Sequence, residues 1–340
     1  MLYCVIMCGI CGCAYLNRFV VRKKTHIKMH VEMHVEVGVD MLEILITLLA
    51  CLCIVLVWVM LYDSNRFVVR EYRAQDKRIR ERTKAVVIAD LHNKRYGRHN
   101  EKLLEAIEAQ KPDMILIAGD ILTAAPGKSF VPAVEFLEAL AGKFPVYYAN
   151  GNHEHRLKLY PKTYQDMAEK YGEALDKIGI SPMINTHVTL RERGIAIYGT
   201  EIDKFYFKRF KVQNMPEEYL KELLGEPEKG LFTILLAHHP NYFPKYARWG
   251  ADLVFSGHVH GGVVRVPFWG KGVISPDVRL FPKYDGGIFK EGAATMVLSR
   301  GLGIHTIPFR LFNPGELWAV TLEPGQEDRQ DGDFSKAGSI

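Results

Sequence analysis

The sequence predicts an α/β domain preceded by one apolar helix. Three observations carry this. From Lys84 onward, short β-branched runs alternate with segments of helical periodicity. After residue 260 the pattern turns β-rich, so either one sheet is mixed or two sheets pack face to face. Residues 44–62 contain no charged side chain.

A spanning helix needs about 20 apolar residues, so 44–62 is just long enough, and a transmembrane helix is expected over 41–62. Trp58 and Tyr62 suit the interfacial belt near its end. Residues 1–40 read as an apolar, low-complexity leader. In it, 17–22 (NRFVVR) recurs at 65–70 and 29–32 (MHVE) recurs at 33–36. All six cysteines lie at or before Cys53, so the domain that follows needs no disulfide and carries no thiol nucleophile. Net charge is +5, and much of the excess crowds into 63–83, which reads as a basic juxtamembrane linker. Because that charge is not spread over the domain, no specific nucleic-acid partner is expected. Lys and Arg number four over 22–40 and six over 62–80. The positive-inside rule then gives a single-pass cell-membrane protein with its domain in the cytoplasm.

Within 84–322, strands are expected at 85–89, 114–118, 145–149, 188–190, 194–199, 232–237, 252–256, 263–266, 294–298 and 317–322. Helices are expected at 100–110, 131–140, 161–178 and 216–224. The polar tail 323–340 reads as disordered.

Five polar clusters sit where strands run out: Asp90-Leu91-His92, Gly119-Asp120, Gly151-Asn152-His153-Glu154, His238 in a Leu-Ala-His-His-Pro stretch, and Gly257-His258-Val259-His260. Ligands of α/β folds bind outside the carboxyl ends of strands, so these loops are placed to converge. Carboxylates, imidazoles and an amide oxygen suit divalent Mn, Fe, Zn or Ni. In an extended segment, residues i and i+2 face the same side, which lets Asp90 with His92, and His258 with His260, point together. Two ions about 3.5–4 Å apart clamp a phosphoryl group and hold a hydroxide for in-line attack. The glycines before Asp120, Asn152 and His258 read as turn formers.

In this order, the clusters resemble the calcineurin-like metallophosphoesterases over roughly 84–322. The resemblance implies a four-layer αββα sandwich of two mixed sheets. It implies one ion held by Asp90, His92, Asp120 and His260, and a second held by Asp120, Asn152, His238 and His258. Asp120 would bridge the two, and His153 would protonate the leaving group. Many relatives carry an Asp where this chain has Thr123. The apolar helix and the Gly301–His305 stretch are similar to membrane-anchored bacterial members, some of which cleave the pyrophosphate of UDP-2,3-diacylglucosamine. A phosphodiester, phosphomonoester or pyrophosphate substrate follows, with a phospholipid or nucleotide-lipid as a candidate partner.

Arg300, His305 and Arg310 are candidates to bind a substrate phosphate, since Arg grips phosphate bidentately. Lys94 and Arg95 have similar standing. An aromatic-basic insert (Lys204, Phe205, Tyr206, Phe207, Lys208, Arg209, Phe210) reads either as a lid or lipid-contacting arm or as a helix packed on the core. A non-catalytic metal-binding scaffold and a nuclease are the alternative functions.

Overall fold

The computed structural model describes residues 28–276, 278–304 and 309–325, with side chains from Met41 onward. The leader cysteines Cys4, Cys8, Cys11 and Cys13, the repeat copy at 17–22, His305 and the tail from 326 lie outside the described residues. The chain divides into two compact units, one up to Val55 and one from Leu56.

Helix α1 runs from Lys28 to Ser64. The most apolar 18-residue stretch of its Met41–Ser64 portion has a mean hydropathy of 3.1 and is not buried inside the protein. Such length and composition suffice to cross a membrane. The helix also takes in 28–40, which the sequence suggests is part of a low-complexity leader. It stops at Asn65, whose side-chain amide donates to Leu61 O.

The second unit holds two mixed sheets. In the first, the order is β1 (Phe67–Asp76), β11 (Gly315–Pro324), β2 (Thr83–Ile88), β3 (Met114–Ala118) and β4 (Val146–Ala149). In the second it is β5 (Thr186–Leu190), β6 (Ile195–Thr200), β7 (Phe232–Ala237), β8 (Leu253–Ser256), β10 (Ala294–Leu298) and β9 (Gly287–Glu291). Strands β2, β3 and β4 are mutually parallel, as are β6, β7 and β8.

Alternate residues of each strand face opposite layers, which produces the sandwich. Ala85, Val87, Leu116 and Val320 of the first sheet pack against Ile197, Ile234, Leu236 and Phe255 of the second. The opposite face of the first sheet, with Val86, Ile88, Ile115 and Ile117, packs on α2 (Glu101–Ala109), α3 (Val131–Ala141) and α6 (Met167–Lys177). The outer face of the second sheet, with Tyr198, Leu235 and Val254, packs on α7 (Tyr219–Leu224) and α8 (Phe243–Trp249). Four layers, αββα, result. Strands buried on both faces read as unbroken apolar runs, which is why Met-Ile-Leu-Ile-Ala was legible.

Three expectations need correction. Residues 67–76, read as part of a basic linker, form β1 in parallel register with β11. Several of the crowded arginines are paired within the domain, among them Arg70 with Glu316, and Arg78 with Asp76 and Asp252. The long helix at 161–178 is instead α5 (Pro161–Tyr164) and α6, separated at Gln165, whose φ of 52° cannot continue a helix. Residues 263–266 form isolated bridges to Leu311 and Gly272 instead of a strand.

Candidate metal centre

Because neighbouring strands run parallel, their carboxyl ends share one rim. Asp90 follows β2, Asp120 follows β3, His238 follows β7 and His258 follows β8, while Asn152 opens helix α4 (Asn152–Leu159) after β4. Asp90, His92, Asp120, His258 and His260 all have left-handed backbones, with φ of 51°, 50°, 56°, 74° and 51°. Each such residue costs on the order of 1–2 kcal/mol. The cost is borne because the loops brace one another. Asp90 N–H donates to Gly119 O and His92 N–H to Asp120 O, both at 3.0 Å. His258 N–H donates to both Asp90 oxygens at 3.0 Å. The motif glycines therefore serve close approach as well as turning. A Cβ on Gly151 would lie 2.2 Å from Asp120 Oδ1, and one on Gly257 would lie 2.4 Å from Asp90 Oδ2.

The side-chain donors converge in three groups: two share no residue, and the third, His92 with Asp120 and His153, links them. Asp90, His92 and His260 form one, with His92 Nε2 and His260 Nε2 3.1 Å apart and each within 3.9 Å of Asp90 Oδ1. Asp120, His238 and His258 form the other. There His238 Nε2 lies 3.0 Å from Asp120 Oδ2, and His258 Nδ1 lies 2.8 Å from Asn152 Oδ1. Asp120 also reaches the first set, with its Oδ2 3.7 Å from His92 Nε2. Donors bonded at about 2.1 Å around one ion sit roughly 3.0–3.4 Å from each other, so the spacings suit shared cations. His238 fits as well. Its Nδ1 is committed to Ala118 O at 2.7 Å, which leaves its buried Nε2 aimed into the site at Asp120.

The charge balance also calls for cations. Burial and the neighbouring Asp120 push Asp90 up to about 6, against the pull of His238. Burial opposes ionisation of Asp120, yet His238, His153 and His92 hold it well below the usual carboxylate range. Burial likewise opposes charging of His238, but Asp120 and Asp90 raise it to about 10.

Glu154 is the functional residue that sequence reasoning left without a role. Its buried carboxylate accepts the amides of Asp120 and Gly151 on Oε2 and those of Ile121 and Leu122 on Oε1. It thereby holds the bridging loop and the first turn of α4 in one piece. Burial, reinforced by Asp120, pushes it up to about 7, while the amide donors favour its charged form. Glu154→Gln should leave two of these amides facing an NH2 group. The expected loss is about 3 kcal/mol or more of stability, read from the urea midpoint at constant slope. An unchanged midpoint would refute the bracing role.

A cleft beside the two sets is lined by Asn152, His153, Arg156, Phe207, Arg209 and His258, among others. The aromatic-basic insert supplies part of its wall. Phe207 packs edge-on against His258 and at a tilt against His239, Tyr206 joins the core, and Phe210 points outward. Arg156 and Arg209 thus line the same cleft. The other basic candidates point elsewhere. Arg310 is fully buried, and its guanidinium donates to the carbonyls of Arg300, Gly301, Gly303 and Asn313. With both terminal nitrogens so committed it braces the loop beneath Asp90, and the expectation that it grips substrate is corrected. Arg300 pairs with buried Glu316. Lys94 donates to Asn65, and Arg95 pairs with Glu135. Thr123, in the place of the usual Asp, donates its hydroxyl to His92 O at 3.1 Å.

The family profile for calcineurin-like phosphoesterases matches residues 83–262, the stretch that holds all five clusters. The chain belongs to the calcineurin-like phosphoesterase family. As a calcineurin-like phosphoesterase it is a metal-dependent hydrolase of phosphoesters. It is 28% identical over 226 residues to the Bacillus subtilis metallophosphoesterase YkuE, covering 64% of this chain and 70% of that protein. It is 26% identical over 245 residues to the Campylobacter jejuni metallophosphoesterase Cj0846, covering 71% of this chain and 59% of that one. To the Escherichia coli phosphodiesterase YaeI it is 26% identical over 225 residues, covering 65% and 75%.

Proposed function

We propose that this calcineurin-like phosphoesterase is anchored in the cell membrane by Met41–Ser64, faces the cytoplasm, and cleaves a phosphodiester or pyrophosphate bond of a lipid-linked substrate with two divalent ions. The observation that carries the two-ion reading is the position of Asp120, whose carboxylate is within reach of both donor sets. Asp90, His92, Asp120 and His260 would hold one ion. Asp120, Asn152, His238 and His258 would hold the other, with Mn, Fe, Zn or Ni suited to these donors. Bound ions of this kind supply Lewis acidity at the phosphoryl oxygens and draw a nucleophile from water at neutral pH.

The protein's own residues do the rest. Ala124 N–H donates to His153 Nδ1 at 2.9 Å, which places the imidazole proton of the neutral ring on Nε2. From there it can pass to the departing oxygen. Arg156 and Arg209 orient the substrate's anionic groups in the cleft.

Full-length protein in detergent, stripped with chelator and reloaded with Mn, should hydrolyse a generic phosphodiester, and the activity should track ion content to two per chain. One ion per active chain would refute the two-ion reading. Two ions without turnover on diester, monoester or lipid substrates would favour the non-catalytic scaffold.

A further inference from the structure

A second apolar surface belongs neither to the core nor to the metal centre. Just after the last motif, the chain folds back on itself. Val266 N–H bonds Lys271 O, Val273 N–H bonds Val264 O and Phe281 N–H bonds Val273 O. Bridges join Arg265 to Gly272 and Ile274 to Leu280. Two tips emerge from this hairpin, Phe268 with Trp269 and Val278 with Leu280 and Phe281, and all five side chains are exposed. The rings of Trp269 and Phe281 stand 5.9 Å apart, so the tips form one patch. The base is braced by buried Arg265, which donates to the carbonyls of Gly261, Gly270 and Asp285. Apolar tips are thus displayed on that frame, flanked by exposed Lys271 and Lys283. Aromatic residues interleaved with basic ones are the composition of segments that lie in a lipid headgroup layer.

The position of the hairpin identifies what covers it. At the end of α1, Asp63 accepts the N–H of Asn313 at 2.9 Å, and Ser64 Oγ accepts the N–H of Arg310 at 3.0 Å. Between those two residues, Leu311 pairs with Val263 and Arg265 at the hairpin's base. The Asn313 side chain donates to His260 O and Val263 O. The hairpin, the end of the apolar helix and the metal-centre loop therefore share one hydrogen-bonded junction. Pro276, within the hairpin, lines the cleft.

We propose that this hairpin is a second membrane contact, whose apolar tips enter the bilayer surface where α1 emerges and hold the cleft at the level of lipid phosphates. The proposal rests on reading Met41–Ser64 as a membrane span. It makes the substrate an amphiphile processed without leaving the bilayer.

The test uses full-length chain in phosphatidylcholine–phosphatidylglycerol vesicles with brominated acyl chains, comparing the wild type with Trp269→Phe. Both should float with the vesicles, and the emission difference between them, which belongs to residue 269, should be quenched by bromine. The double variant Phe268→Ser, Trp269→Ser should lose at least tenfold in rate on a diacylated phosphodiester in vesicles and keep its rate on a water-soluble phosphodiester. Failure of the wild type to float would overturn the anchor reading and this proposal with it. Flotation with an unquenched residue 269 would overturn the hairpin contact alone. Equal losses on both substrates would mean that the tips support the cleft and not a lipid contact.

Discussion

Asp120→Asn should lower kcat/KM by roughly a thousandfold or more and cut ion content below two per chain, whereas Asn152→Ala should lower it by roughly 10–100-fold. The asymmetry follows from geometry. Asp120 Oδ2 lies 3.0 Å from His238 Nε2 in one donor set and 3.7 Å from His92 Nε2 in the other. Its second oxygen already accepts His153 N–H at 2.8 Å. An amide there removes one negative charge from both ion positions at once, and can turn an N–H toward imidazoles that carry donors of their own. Several kcal/mol of charge stabilisation at a phosphoryl centre are at stake, and about 4 kcal/mol corresponds to a thousandfold. Asn152 contributes one neutral oxygen, next to His258 Nδ1, so its removal touches one ion position only. Ion content by atomic emission and kcat/KM on one soluble diester decide the matter. Comparable rates in the two variants would remove Asp120 from the bridging position.

The same geometry explains what could be read from the sequence. Strands β2, β3, β7 and β8 are covered on both faces, so their residues are almost uniformly apolar and mark their own ends. Ligand types placed just past those ends then stand out. Strand β1 did not stand out because it is half exposed. Its Phe-Val-Val-Arg-Glu-Tyr-Arg run carries exposed charges at the consecutive positions 70 and 71, which breaks any alternation, and its partner β11 lies some 248 residues further along the chain. Glu154 was visible as a motif letter but not as a brace, since its partners are backbone amides that no side-chain pattern encodes. Arg156 and Arg209 carry no spacing signal either. One lies on α4 and the other within the aromatic-basic insert, and only the folded chain brings both to the same cleft. Arg310 misled for the converse reason: an arginine in a glycine-rich loop has the same sequence signature whether it meets a phosphate or a ring of backbone carbonyls.

His153→Asn should keep both ions and lose about 100- to 10,000-fold in turnover, the range for a positioned proton donor. Asparagine suits the test because its Oδ1 can take the place of Nδ1 as acceptor for Ala124 N–H, which preserves the loop contact made at 2.9 Å. What it lacks is the Nε2 proton. The size of the loss should therefore depend on the leaving group. A nitrophenolate departs without protonation, so an aryl ester should suffer least, while an alkyl or lipid phosphodiester, whose alkoxide is strongly basic, should suffer most. His153 also lies edge-on to His92, with ring centroids 4.7 Å apart, so a ligand role makes the opposite prediction: ions lost, and every ester slowed alike. A leaving-group series run on the ion-replete variant separates the two, because only a proton donor makes the defect grow with the basicity of the departing oxygen.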